Sequence, residues 1–135
     1  MTRIKTATLL IATLLIPGFV NAGHHEKGNH MMLAAQPGQV MVVYHWPCAD
    51  AGAGLSLLKA LIAYERDASP YPYSASPALH EDGAVVSVDV HGSAESMNNA
   101  TAWQAADTEW QAKFAEMEAA CGSAEDLSSH VLTMQ

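Results

Sequence analysis

Positive charge is scarce in this chain: six lysines and arginines stand against fourteen aspartates and glutamates in 135 residues, a formal charge of −8. A surface of that sign repels phosphate backbones and anionic lipid, so nucleic acid is excluded as a partner class and lipid docking is disfavoured. Long apolar runs are missing too. The longest, over residues 9–16, falls short of the ~20 residues needed to span a bilayer. Cysteine is limited to Cys48 and Cys121, which leaves no paired-cysteine zinc signature. A phosphate-cradling glycine loop and a nucleophile elbow are absent as well. The common motifs of nucleotide, zinc and serine-hydrolase chemistry are thus ruled out before any fold is considered.

What is present begins with a leader. Residues 1–22, "MTRIKTATLLIATLLIPGFVNA", have basic Arg3 and Lys5, an apolar stretch, a Pro17-Gly18 break and a small-residue end. That is the build of a secretory signal peptide cleaved after Ala22, with a periplasmic or secreted destination and no membrane attachment after cleavage. Cleavage would remove two bases and no acids, leaving 113 residues with a formal charge of −10, enough for one domain. Two cysteines bound for an oxidising space are expected to pair.

Residues 23–38, "GHHEKGNHMMLAAQPG", read as a flexible His-rich tail ending at a Pro37-Gly38 turn. Cleavage after Ala22 would expose Gly23, His24 and His25. The free amine, two deprotonated amides and the His25 imidazole could then hold Cu²⁺ in a plane of four nitrogens. Copper is therefore one candidate cofactor, and a tail without a metal role is the plainer alternative.

From residue 39 the periodicity sets the elements. "QVMVVYHW" is a β-rich run of the buried type, ended by Pro47. Asp50 can cap a helix over 53–66 whose Leu55, Leu58, Leu61 and Ile62 form one apolar stripe. The proline-bearing stretch from Ser69 suits only an edge strand, and Glu81-Asp82-Gly83 makes a hairpin turn. In "AVVSVDVHG", Val86, Val88 and Val90 point one way, and Ser87, Asp89 and His91 the other. Alternation predicts a core face and a more polar one. Ser93 then caps a long helix to Cys121 with Trp103, Ala106, Trp110, Phe114 and Met117 on its core stripe, and Asn98-Asn99 is where it could kink or split. "SSHVLTMQ" supplies a last strand. The order βαββαβ predicts an α+β ferredoxin-like fold, a four-stranded antiparallel sheet with two helices on one face. In that topology Cys48 and Cys121 fall at the same end, so the disulfide becomes geometrically reasonable.

Over residues 39–135 the chain resembles the dimeric α+β barrel superfamily, which includes NIPSNAP-type and antibiotic-biosynthesis monooxygenase-type domains. The resemblance is carried by the element order, by "SPYPYSASPALHEDGAVVSVDV" as the proline-bearing hairpin and by "WQAADTEWQAKFAEM" as the Trp-containing helix. It implies a homodimer with two sheets face to face and a small-molecule cavity in each protomer. Activities in the superfamily range from none known to cofactor-free or heme-dependent oxygenases, so heme joins copper as a candidate cofactor and fold does not fix function.

The candidate catalytic residues are His45, Asp89 and His91, since a histidine beside a carboxylate can take a proton from an acidic carbon or phenol or ligate iron. Asp89 and His91 share a face and could support each other, whereas His45 lies nearer His130. Tyr44, Trp103 and Trp110 are candidates for lining a cavity for a small apolar or aromatic ligand. Without a motif that compels chemistry, the expected function is an exported small-molecule-binding or accessory domain, with a small monooxygenase as the alternative.

Overall fold

The computed structural model describes residues 34–135. The expected signal peptide, most of the tail and the Gly23-His24-His25 motif lie outside the described residues. The elements run β1 (Val40–Trp46), α1 (Ala51–Ala68), β2 (Tyr73–Leu79), β3 (Val85–His91), α2 (Ala94–Ala106), α3 (Thr108–Cys121) and β4 (Ser128–Thr133). All three strand pairings are antiparallel and the sheet order is β2-β3-β1-β4. This is the ferredoxin-like α+β fold that the sequence predicts.

Local chemistry explains the boundaries. The Asp50 carboxylate accepts from the Ala53 N–H at 3.0 Å, which caps α1 and satisfies one of its orphan donors. β2 lies at the sheet edge, where Pro77, lacking an N–H, leaves no central ladder bond unmade. The β2–β3 turn closes through the His80 N–H, which donates to the Ala84 carbonyl at 2.9 Å. Gly83 takes the positive φ of +90° that this turn requires.

The long second helix breaks, but not at Asn98-Asn99. Asp107 has an extended ψ of 116° and is at once the end of α2 and the N-cap of α3. Its carboxylate accepts from the Trp110 N–H and from the Tyr64 hydroxyl, both at 2.8 Å. The Asp107 carboxylate competes for a nearby backbone donor, whereas the exposed Asn98-Asn99 pair stays within regular helix, and Tyr64 on α1 fixes where the break falls. Among the described residues the helices therefore number three rather than two, and Ala106, expected on the core stripe, is exposed.

A second expectation is inverted. Val42 pairs with Asp89, Tyr44 with Ser87 and Trp46 with Val85. Trp46 and Val85 belong to the core formed with Leu58, Leu61, Trp110, Met117 and Cys121. The Ser87-Asp89-His91 row of β3 therefore lies beneath the helices, and Val86, Val88 and Val90 lie on the opposite face, which no helix among the described residues covers.

Cys48 and Cys121 form the expected disulfide, with the sulfurs 2.02 Å apart. Gly54, in the first turn of α1, packs directly on both sulfurs, and a Cβ there would lie 2.9 Å from Cys121 Sγ and closer still to Cys48 Sγ. The softness that glycine gives this turn is thus what lets the helix approach the bridge.

Candidate ligand cavity

Between the sheet and the helices lies a cavity of about 210 Å³. β1 contributes Tyr44 and Trp46, β3 contributes Ser87 and Asp89, and α1 contributes Leu58, Leu61, Ile62 and Glu65. Gln104 of α2, Trp110 and Phe114 of α3, and Leu127 complete the wall. The aromatic rings are ordered against one another. Trp110 and Phe114 stack with centroids 4.8 Å apart, and Trp46 meets Phe114 edge-on at 5.4 Å, both preferred aromatic geometries.

Two carboxyl groups reach this apolar space. Asp89 is 7 % exposed and accepts from the Ser87 hydroxyl. Burial pushes its pKa up to about 7; the Ser87 bond opposes that shift and the charge of Glu65 adds to it. Glu65 is also 7 % exposed. Its Oε1 accepts from Trp110 Nε1 at 2.6 Å and from Gln104 Nε2 at 3.1 Å, and Gln104 Nε2 also donates to the Tyr73 hydroxyl at 3.1 Å. Desolvation outweighs the neighbouring donors and raises the Glu65 pKa. Burial, then the charges of Asp89 and Glu65, push the Tyr44 hydroxyl up to about 12, so it remains a proton donor at neutral pH. Trp46 lines the same space with its indole N–H buried and without a partner.

The sequence-predicted residues separate into groups. Tyr44, Asp89 and Trp110 are brought together in this cavity. Trp103 is not at the cavity; it stacks on Tyr64 with centroids 6.4 Å apart. His91 shares the face of Asp89, but its ring stacks on Tyr73 at 4.8 Å and its Nδ1 is buried without a partner. Burial lowers its pKa, so it sits there as a neutral ring rather than supporting the carboxylate. His45 lies on the uncovered face, flanked by His80 and His130 with centroids at 5.4 and 5.8 Å. It meets His130 as the strand order requires and cannot act with Asp89. Among the described residues no three metal-ligating side chains are arranged to hold an ion.

Sequence reasoning missed Glu65 and Gln104. Glu65 had a signal: it falls on the α1 stripe, four residues after Leu61, where a carboxylate on an apolar face is out of place. Gln104 follows Trp103 with nothing local to mark it.

No protein-family model and no curated protein matches this chain. Solved structures do. Rv0793 from Mycobacterium tuberculosis superposes with a TM-score of 0.55 at 19 % identity, over 72 % of this chain and 95 % of its own. SnoaB, a cofactor-independent oxygenase from Streptomyces nogalater, gives 0.52 at 14 %, over 72 % and 93 %. A dimeric ferredoxin-like protein of unknown function from Jannaschia sp. gives 0.51 at 11 %, over 70 % and 98 %. These likenesses, all at 19 % identity or less, show the fold: the chain is folded like these ferredoxin-like proteins.

Proposed function

We propose that this protein is an exported small-molecule-binding domain whose site is the cavity between sheet and helices. The observation that carries this reading is the pair of buried carboxyls set among aromatic rings in one partly open hollow. Ligand sites are mostly apolar hollows with a few convergent polar groups. At about 210 Å³ the space is below the ~300 Å³ at which drug-sized sites begin, so the occupant is a small molecule of one or two rings. Export is supported by the disulfide, which persists in oxidising compartments. Trp46 and Trp110 line the space, so a bound aromatic ring changes their emission. Titration of the processed, disulfide-bonded protein with single- and double-ring aromatics should quench tryptophan fluorescence saturably, and emission unmoved by every member of such a panel would sink the reading.

A second reading is supported by Asp89. A carboxylate with a pKa of about 7 is poised to take a proton from an acidic C–H or O–H at neutral pH. The carbanion or phenolate so formed could react with oxygen directly, and the neighbouring fold of SnoaB is that of a cofactor-independent oxygenase. Oxygen uptake with small phenols, lost in Asp89→Asn, separates this reading from binding alone.

The molecule is further taken to be a homodimer through the uncovered sheet face. Met41, Val43, Val88 and Val90, all part-exposed, form an apolar patch there around the buried Val86, of the kind that soluble monomers rarely leave open. The dimeric state of the Jannaschia neighbour supports a homodimer.

A further inference from the structure

We infer that the cavity takes a small organic ammonium ion, with its nitrogen beside Asp89 and Glu65 and its carbon skeleton against Trp46, Trp110 and Phe114. This rests on reading the cavity as a ligand site, and it names the class of ligand. The first ground is charge. Two carboxyls with 7 % exposure each reach the space, and neither lysine, arginine nor histidine lines it. Buried carboxylates are ordinarily paired, because an uncompensated charge loses its hydration without return. Here the protein supplies hydroxyl, amide and indole donors but no cation, and an ammonium group would provide the missing counter-charge.

The second ground is the wall. Trp46 and Trp110 each contact Phe114 and all three rings line the space; aromatic rings attract organic cations and reward a desolvated one most. A metal ion is a poorer match: hard cations take six or more oxygen ligands, and among the described residues no group of three ligating side chains is preset.

The titration of the site follows. Asp89 shares its surroundings with Tyr44 of β1, Glu65 of α1, Gln104 of α2 and Ser87 of its own strand, and with Tyr73 across the sheet. Tyr44 and Tyr73 stay protonated at neutral pH, and burial favours the neutral ring of His91 on the same face, leaving the two carboxyls to change charge. An ammonium ion favours their ionised forms, so it binds more tightly as pH rises from 6 to 8 and displaces a proton in doing so.

The test uses the full processed chain with its disulfide intact and three probes of one shape: 2-phenylethylamine, 2-phenylethanol and 3-phenylpropionate. By calorimetry and tryptophan fluorescence at pH 8, the amine should bind at least tenfold more tightly than the alcohol, and the carboxylate not at all. That preference should shrink at pH 6 and fall to near unity in Asp89→Asn, which keeps an acceptor for Ser87. Glu65→Gln, which retains an acceptor for Trp110, serves as the second variant should the first misfold. Alcohol or carboxylate binding as tightly as the amine overturns the ammonium assignment while leaving the cavity a ligand site. Failure of all three probes to bind overturns both.

Discussion

At Asp89 a carboxyl occupies a strand position that the helices cover, and the loss of water holds its proton until a pH of about 7. An unfolded chain releases the same proton at the ordinary value of 3.8. Between those limits the folded state binds more protons, so this group makes stability fall as pH rises from about 4 through about 7. The loss is complete above that window and is bounded at about 4 kcal/mol, taking roughly 1.4 kcal/mol per unit. Asp89→Asn removes the charge and keeps the Ser87 bond. Its melting temperature should therefore exceed that of the parent at pH 8 and match it near pH 4. Equal shifts at the two pH values, measured by thermal denaturation, would contradict the burial account. Glu65, the other buried carboxyl, was legible in outline as the charged member of an apolar stripe. Its partners were not, because Gln104 and Trp110 lie far along the chain and only packing brings them to it.

Among the elements, α1 shows how a covalent link dictates sequence. The helix is capped by Asp50, and Gly54, a weak helix former, sits in its first turn against the Cys48–Cys121 sulfurs. Propensity alone counts that glycine as a cost of about 1 kcal/mol relative to alanine. The close approach reverses the sign. Gly54→Ala should lower stability by about 1–3 kcal/mol, the usual range for overpacking, and should raise the fraction of free thiol after oxidative refolding. Denaturant midpoints rising above those of the parent would show that α1 can shift away at no cost. The α2–α3 break teaches the complementary lesson. The sequence marks a weak point at Asn98-Asn99, yet the helix yields at Asp107, because Tyr64 of α1 donates to that carboxylate and no local rule anticipates a partner from another helix.

At the scale of the whole molecule, the helices among the described residues form one layer and pack on one face of the sheet. The uncovered face carries Val43, Val88 and their neighbours, together with the histidine row through His45. If this face joins two copies, Val88→Asp places a charge at the centre of each half and should yield monomers with unchanged circular dichroism. Sedimentation velocity at micromolar concentration reads this directly, and a monomeric parent or a dimeric variant would refute the arrangement. The disulfide ties the same molecule together at its other side, closing a separation of 73 residues, for which chain entropy predicts about 4 kcal/mol. Much of this was in the sequence. The order of elements, the edge position of the proline-bearing strand, the hairpin turn and the cysteine pairing all follow from periodicity, backbone chemistry and strand topology. Alternation along β3 defined two rows of side chains, but it is symmetric between the faces of a sheet. Which row the helices cover is decided by where the crossovers lie relative to the pleat. Tertiary structure alone therefore turned Asp89 inward, set it beside Glu65 and Trp110, and made a ligand cavity out of residues that periodicity had assigned to a polar face and an apolar stripe.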